Sequence, residues 1–443
     1  MNKVISIFIF WSLLILSGCS SIVEGDPSAT FEENVLRPKI SFSTLDSISV
    51  YVQYWKKGSQ KIQKSTVSTG IKHDILLLNL TGEAEYEYRI HSIEGDRKSK
   101  VFQFKTEKIP EDIFIVNKEK IDTTAFNGYI LIRKFIGNGA DVILNNEGDV
   151  VWYYDYGREV RRQFTWTNHN TILSAIDTSH VVEIDRYGNQ LLSLDLQKTE
   201  NPLFSHHEIL YDKEGALITL VTDSLLVNPN SKEEERYAYT DGIVKLSVEG
   251  VPLWTWNVAE HINLSERIKL LRKGVKGRIS HSNSLTIDKD GNYLISFRDF
   301  AQVWKIDSKS GDVIWKLGEG GDLKMDSSAY FISQHSIYYD NDRLVIFDNG
   351  NPRIRDYSRI LGFIIDEGSG VAKTEFVIDL PKEIASYRMG SGYQVGNDRF
   401  LVCTSTRSMT LSIVNTKGEI LWKVGGSQNS FRAYFIKNPF VIN

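Results

Sequence analysis

The chain has 443 residues, of which 41% are hydrophobic and 24% are charged, and its formal net charge is -4. This composition excludes a disordered or collagen-like chain, and the length allows about two to three domains with a sizeable core. Lysine and arginine number 52 against 56 aspartates and glutamates, so no basic excess is available for phosphate contacts and no nucleic-acid partner is expected.

The N-terminus has the features of a signal peptide. An early lysine precedes an apolar stretch, Val4 to Leu16, which is too short to span a bilayer and ends in Leu16-Ser17-Gly18-Cys19. Small residues before a cysteine resemble a bacterial lipobox, which implies that residues 1–18 are removed and that Cys19 carries a lipid. A plain secretory signal that contains a cysteine is the other interpretation. With Cys19 lipidated, Cys403 is the one remaining cysteine, so an intrachain disulfide is not expected.

Two segments precede the main part of the chain. Residues 19–35 are mostly polar and show no hydrophobic period, so we interpret them as a tether. Residues 36–107 contain short alternating runs such as Ile48 to Tyr54, separated by turns, which predict a small β-sandwich of fibronectin or immunoglobulin type. Residues 108–118 are interpreted as a linker.

From residue 119 onward a hairpin repeat indicates the fold. An apolar strand, a polar turn ending in glycine and a second apolar strand recur six times, often with a tryptophan four residues after the glycine. The six glycines are Gly148, Gly188, Gly250, Gly311, Gly370 and Gly418, and the tryptophans are Trp152, Trp254, Trp315 and Trp422. Hairpin repeats of this length are typical of propeller blades. The prediction is an all-β protein in which residues 119–443 form a six-bladed β-propeller, with Ala433 to Ile436 completing the first blade and the tryptophans packing between blades.

A second repeat predicts where functional side chains converge. The stretches that begin at His207, Asn283 and His335 align, and each leads through a turn into another strand. These second strands are followed by polar residues at matching places, namely Thr222, Arg298, Asp348 and Thr404. Because the innermost strands of a propeller line its central channel, matching polar ends are expected at one mouth of that channel.

The expected cluster has the chemistry of an oxyanion site. Its predicted members are His206, His207, His281, Asn283, Arg298, His335 and Thr404. Three histidines suit zinc, but a neighbouring guanidinium repels a cation, so no metal is expected. Arginine and neutral imidazole instead suit a tetrahedral oxyanion, and they would serve transfer of a sulfate or phosphate ester through a histidine nucleophile.

Five short stretches together resemble the bacterial arylsulfate sulfotransferases. They are Phe204-Ser205-His206-His207-Glu208, His281-Ser282-Asn283-Ser284, Ser296-Phe297-Arg298, Gln334-His335 and Asp348-Asn349-Gly350. In that family a β-sandwich precedes a six-bladed propeller. The resemblance implies transfer of a sulfuryl group from a phenolic sulfate ester to a phenol through a sulfohistidine. It also implies that neither phosphoadenosine phosphosulfate nor any other cofactor takes part.

The resemblance also implies residue roles. His335 is similar to the nucleophile of the family, and His207, His281 and Arg298 are similar to its other catalytic residues. Asn283, Thr404 and His206 complete the substrate-binding set, with Thr404 in the loosest register.

Members of that family are often soluble periplasmic proteins, whereas this chain carries a lipobox. We therefore expect an exported protein, lipid-anchored to a bacterial membrane and facing the periplasm or the cell surface, with a homodimer as one subunit arrangement. Residues 263–273 have helical spacing and are interpreted either as a surface helix or as a flap over the pocket. Two other hypotheses stay open: a propeller that binds a sulfated or anionic ligand without chemistry, and an adhesion lipoprotein whose sandwich carries the interaction.

Overall fold

The computed structural model describes residues 22–32, 34–95, 97–197, 204–227, 236–262, 280–340, 342–405, 408–426 and 428–440. These residues form β-strands, turns and three short 3-10 helices (Val258–Glu260, Ser327–Ala329 and Lys382–Ile384) but no α-helix. The signal peptide, Cys19 and the helix predicted at residues 263–273 lie outside the described residues. No helix in the described part is long and apolar enough to cross a membrane.

The chain divides into two compact units, and the first holds Pro38–Leu77, Ala84–Lys105 and the chain up to Glu32. Its strands are β1 (Val23–Thr30), β2 (Lys39–Lys56), β3 (Gln63–Lys64), β4 (Ser68–Leu76), β5 (Glu85–Ser92) and β6 (Phe102–Lys105). Strand β2 pairs with β1 and β4 along its first half and with β3 and β5 along its second half, while β6 pairs with β5. Alternate side chains of β2, among them Ile40, Val50 and Tyr54, are buried in the core of this unit.

One sequence prediction for this unit is wrong and one stays open. Residues 19–35 were expected to be a tether, but Val23–Thr30 is a strand, because its backbone pairs with the edge that β2 offers. The predicted sandwich stays a prediction. A sandwich consists of two packed sheets, whereas the hydrogen bonds here join all six strands into one sheet through the long strand β2.

The second unit contains six sheets of at least four strands, which we call blades 1 to 6. Blade 1 is β8 (Tyr129–Lys134), β9 (Ala140–Leu144), β10 (Val150–Asp155) and β31 (Ala433–Ile436), and blade 2 is β11 (Phe164–Trp166), β12 (Ile172–Ala175), β13 (His180–Ile184) and β14 (Gln190–Asp195). Blade 3 is β15 (Ser205–Tyr211), β16 (Leu217–Val227), β17 (Arg236–Leu246) and β18 (Pro252–Asn257), and blade 4 is β19 (Ser282–Ile287), β20 (Tyr293–Phe297), β21 (Gln302–Ile306) and β22 (Val313–Gly318). Blade 5 is β23 (Ile337–Asp340), β24 (Arg343–Asp348), β25 (Arg359–Asp366) and β26 (Val371–Asp379). Blade 6 is β27 (Ser391–Gly396), β28 (Arg399–Thr404), β29 (Met409–Asn415) and β30 (Ile420–Gly426), with β7 (Val116–Lys120) as a fifth strand.

The blades close into a ring through their inner strands. Each inner strand contacts the next blade, and β31 contacts both blade 6 and blade 2. Strand β31 pairs with β8, so the C-terminal strand completes the first blade, as the sequence predicts. This arrangement is that of a β-propeller and confirms the predicted all-β propeller class.

Segments expected elsewhere also belong to the propeller unit. The predicted linker, residues 108–118, runs into β7, which pairs with β30 as the outermost strand of blade 6. Residues 33–37 and Leu78–Glu83 belong to this unit too, although they fall inside the predicted tether and sandwich. The physical reason is hydrophobic: Leu36 and Leu78 are buried in clusters made of propeller side chains.

The glycine and tryptophan of the hairpin repeat have separate structural roles. All six repeat glycines have a positive φ, between 68° and 88°. At Gly418 an added Cβ would lie 2.2 Å from the backbone oxygen of Asp379, so no other side chain fits there. The tryptophans reach the next blade, as predicted: Trp422 donates to Asn146 O and Trp152 donates to Arg186 O.

Candidate active site

Three histidines and one arginine converge from consecutive blades. His207 lies in β15 of blade 3, His281 directly precedes β19 of blade 4, and His335 lies two residues before β23 of blade 5. Arg298 directly follows β20, the partner of β19, so it lies at the same end of blade 4 as His281. The imidazole centroids of His207 and His281 are 5.9 Å apart. The predicted convergence of these blades is therefore present.

Local backbone irregularities turn two of these histidines. His207 and His281 both have a positive φ, 61° and 53°, and each lies beside a break in the register between the two inner strands of its blade. A non-glycine residue in this left-handed region costs about 1–2 kcal/mol. Such strain clusters at functional sites, where the surrounding structure holds it in place. His281 therefore does not have the extended backbone of the strand that follows it.

His335 has one ring nitrogen committed and one free. Its Nδ1 lies 2.8 Å from Asn349 Oδ1 and 3.1 Å from Ser333 O. Asn349 donates from Nδ2 to the backbone oxygens of Ser386 (2.6 Å) and Met389 (2.7 Å), which orients its own oxygen toward the imidazole. Both partners of Nδ1 are acceptors, so Nδ1 carries the proton and Nε2 keeps its lone pair. No hydrogen bond from the described residues occupies Nε2.

Burial, together with neighbouring cationic groups, keeps the imidazoles of His207 and His335 neutral. The pKa of His335 is lowered to about 3, chiefly by burial and also by Arg298 and His281, against the opposing effect of its hydrogen bond to Asn349. Burial also lowers the pKa of His207 well below its usual range, and His206, His281 and His335 add to the shift. Positive charge on His207 or His335 would therefore be costly.

His206 and His207 form a polar chain with a buried carboxylate. Their Nδ1 atoms are 2.9 Å apart, so one donates to the other. His206 Nε2 lies 3.1 Å from Asp241 Oδ1, close enough for an ion pair although not aligned as a hydrogen bond. Burial would raise the pKa of Asp241, but His206, the hydroxyl of Ser280 and the backbone N–H of Ser282 lower it to about 2. The carboxylate favours a proton on His206 Nε2, and His207 then donates from Nδ1 and keeps its lone pair on Nε2.

Arg298 is partly exposed beside a second carboxylate. Its Nη1 lies 3.1 Å from Asp299 Oδ1, and His281 Nδ1 lies 3.9 Å from the same oxygen. Asp299 Oδ2 is buried and has no hydrogen-bond partner among the described residues. The guanidinium has donors left over, because one contact with Asp299 uses only part of its fork.

Asn283 and Thr404 differ in how they relate to this cluster. Asn283 Nδ2 donates to Gln334 O at 2.7 Å, next to His335, and its buried Oδ1 has no partner among the described residues. Thr404 ends β28 in blade 6 and is buried, but no contact within the described part of the chain links its side chain to the histidines.

Three residues of the site were missed by the sequence analysis. Asn349 stands in a stretch that was noted for its resemblance, directly after β24, and could have been found by comparing strand ends across blades. Phe431 is buried with its ring centroid 5.5 Å from that of His207 and 6.4 Å from that of His335. Phe431 and Asp241 have no sequence signal, since neither belongs to the repeat that marks the histidines. Within the described residues, no three His, Cys, Asp or Glu side chains are grouped so as to hold a metal ion.

Comparisons with known proteins identify one matching family. The family model described as Arylsulfotransferase (ASST) matches residues 98–420. A comparison with curated proteins finds no significant match.

Three similar solved structures share little sequence with this chain. A protein of unknown function from Bacteroides caccae is 12% identical, covers 70% of this chain and 99% of its own, and has a TM-score of 0.46. Sqt1 of Saccharomyces cerevisiae is 12% identical, with coverages of 90% and 95% and a TM-score of 0.36. Virginiamycin B lyase from Staphylococcus aureus is 10% identical, with coverages of 79% and 93% and a TM-score of 0.37.

Proposed function

Because the chain belongs to the arylsulfotransferase family, we propose that it moves a sulfuryl group from a phenolic sulfate ester to a phenol through a covalent intermediate on His335. The observation that carries this proposal concerns His335: its imidazole is buried, its Nδ1 donates to Asn349, and its unprotonated Nε2 has no hydrogen-bond partner among the described residues. A nucleophile of this kind needs no base to activate it.

In the first half-reaction Nε2 of His335 attacks the sulfur of the ester. The N–S bond forms, the S–O bond to the aryl group breaks, and the aryl oxygen leaves as a phenolate with the bonding electron pair. The proton on Nδ1 stays in place, so the ring becomes a sulfonated imidazolium whose positive charge is stabilised by the acceptor Asn349 Oδ1. The aryl sulfate ester already contains a good leaving group, the phenolate. Neither phosphoadenosine phosphosulfate nor another cofactor is therefore required.

The hydrogen-bond donors around His335 fit the charge of the substrate. Arg298 and His281 are proposed to bind the non-bridging sulfate oxygens, and Asn283, His206 and Thr404 to complete the substrate-binding set. A bound sulfate group places negative charge beside His207 and His335, which offsets the repulsion among cationic groups that contributes to their lowered pKa values. Donors held in place before the reaction stabilise charge that develops on these oxygens in the transition state.

In the second half-reaction an acceptor phenol attacks the sulfur. Its hydroxyl proton passes to a base, the new S–O bond forms, and the N–S bond breaks to return the neutral imidazole of His335. We assign the base to His207 Nε2, because Asp241 and His206 favour a lone pair on that nitrogen. His281 is the alternative base.

Burst kinetics with a chromogenic aryl sulfate test the covalent step. Without acceptor, the protein should release one phenol per site and gain the mass of one sulfuryl group, and with acceptor the kinetics should be ping-pong. The adduct should be acid-labile and map to His335. His335→Asn should lower the turnover rate roughly a thousand-fold or more and form no adduct.

His169→Asn is the matched control, since His169 is exposed in a turn of blade 2, and it should behave as the wild type. An adduct on another residue would disprove the assignment of the nucleophile. If the aryl sulfate bound but no turnover occurred, the propeller would be a receptor for sulfated ligands, the non-catalytic alternative.

The proposal also concerns where in the cell envelope the protein is held. We propose that Cys19 is the lipidated N-terminus of the exported protein, which is supported by the apolar run before Leu16-Ser17-Gly18-Cys19. Intact mass of the membrane fraction checks this proposal, because the mature chain should begin at Cys19 and carry the mass of the lipid. A mature chain of unmodified mass would contradict it.

A further inference from the structure

One end of the first unit carries a group of exposed aliphatic side chains, which we call the apolar tip. Its members are Leu45 (66% exposed), Val67 (55%), Ile71 (51%) and Ile93 (53%). Single exposed hydrophobic residues are normal on a protein surface, but a group of four on neighbouring strands or directly beside them indicates a binding surface.

Strand pairing brings the four residues of the tip together. Ile48 of β2 pairs with Gly70, which precedes Ile71, and the register between β2 and β4 breaks over residues 44–47, where Leu45 projects. Val50 pairs with Ser68, next to Val67. On the other side of β2, Ile93 donates its backbone N–H to Ser49 O. The tip is therefore built around one short stretch of β2, residues 45–50.

The described chain begins beside this tip. Val23, the first residue of the antiparallel strand β1, pairs with Thr44, so Ile22 and Leu45 are the residues next to this pair on the two segments. Ile22 and Val23 are both buried, which fixes the start of β1 against the sheet. Cys19 is three residues before Ile22 in the sequence. Three residues of chain span at most about 10 Å, so the backbone that joins Ile22 to the proposed lipid-bearing residue is short.

We propose that the apolar tip inserts into the interface of the membrane that holds the lipid of Cys19. The inference rests on the proposed lipidation of Cys19 but not on the sulfuryl-transfer chemistry. A lipid attached three residues from Ile22 holds the tip against the bilayer surface at a high effective concentration. Even a weak tendency of four aliphatic side chains to leave water is then sufficient for contact.

The charges at the tip favour apolar insertion over electrostatic adsorption. Lys72, directly after Ile71, is exposed and suits anionic headgroups, but Asp46 and Glu94 are exposed beside Leu45 and Ile93. One lysine against two carboxylates gives the tip no net positive charge, so a larger fraction of anionic lipid should not strengthen membrane contact.

Fluorescence quenching on vesicles tests the proposal with the full lipidated protein. Leu45→Cys is labelled with a small environment-sensitive fluorophore, and Leu253→Cys, an exposed leucine of the outer strand of blade 3, is the matched control. Cys403 is buried and should not react, and Cys19 should be blocked by its lipid. On vesicles of neutral phospholipid, the Leu45 label should be at least threefold less accessible to iodide than the Leu253 label. A phospholipid that bears a nitroxide should quench the Leu45 label alone.

Each other outcome overturns the proposal for a different reason. Equal iodide access without lipid quenching, in protein shown to be lipidated, would mean that the tip stays in water. Protection from iodide without lipid quenching would mean that a protein surface, such as a second copy of this chain, covers the tip. A reactive thiol at Cys19, in protein that does not bind vesicles, would show that Cys19 carries no lipid and that the proposed anchor does not exist.

Discussion

Two buried polar clusters of the propeller have opposite character. In blade 1 the guanidinium of Arg133 is fully buried and makes two 2.6 Å bonds to Asp141, with further bonds to Gln163 O, Tyr156 and Ser174. Its pKa is raised, because the attraction of Asp141 outweighs the burial that would lower it. Charge and hydrogen bonds are thus satisfied within the protein.

The histidine cluster is instead incomplete by itself. Among the described residues, no hydrogen bond is made to His335 Nε2, and Asn283 Oδ1 and Asp299 Oδ2 are buried without partners, while His207 and His335 are held neutral. A satisfied polar network rigidifies a fold, whereas one with unused donors and acceptors can complete itself with a ligand. The comparison predicts that mutations in the first cluster reduce stability and mutations in the second reduce activity.

Loss of Arg133 should have the largest effect, and it should fall on stability. Arg133→Ala leaves the carboxylate of Asp141 buried without a counter-charge, which typically costs about 3–5 kcal/mol of unfolding free energy. Thermal unfolding followed by near-ultraviolet circular dichroism measures the loss. The double variant Arg133→Met with Asp141→Leu should recover part of it, because no unpaired charge is left. A single variant as stable as the wild type would show that water reaches Asp141.

Loss of Arg298 should have the next largest effect, and it should fall on activity. Its side chain is 32% exposed and, within the described part of the chain, forms its ion pair with the neighbouring Asp299, so Arg298→Ala should change the unfolding temperature little. Removing a donor to the sulfate should cost about 2–4 kcal/mol of transition-state binding, measured as kcat/KM for the aryl sulfate. Near-native kcat/KM, or a loss matched by unfolding, would place Arg298 with the structural cluster.

The smallest predicted effect is on pH dependence. With a pKa of about 3 against an ordinary 6.5, His335 gains its second proton only in strong acid, so the burst rate should not fall between pH 8 and pH 5 on its account. Asn349→Asp places a carboxylate against Nδ1 and should raise the pKa of His335, so the burst rate should then decline with acidification at a higher pH. Asn349→Leu should lower the rate at every pH without moving the decline upward. If the wild-type burst rate declined near pH 6.5 and this decline disappeared in a His207 variant, the group whose protonation controls the rate would be His207 and not His335.

The sequence alone determined the propeller class and most of the histidine cluster. The hairpin glycines could be found because each hairpin turn requires a left-handed backbone, so glycine recurs at the same place in every repeat. The histidines could be found because equivalent strand ends of different blades meet at one channel mouth. Closure by Ala433–Ile436 followed from the same repeat.

Only the tertiary structure decided the rest. Val23–Thr30 and Val116–Lys120 are polar strands at sheet edges, where backbone pairing suffices and no hydrophobic period marks them. Asp241 reaches His206 from the third strand of its own blade, and Phe431 lies beside His207 only because the end of the chain returns to blade 1. Which nitrogen of His335 is free depends on the Asn349 amide, whose orientation is set by two backbone carbonyls of a later loop. Such contacts join residues far apart in the chain, so hydrophobic periodicity and motif spacing, which are local, carry no trace of them.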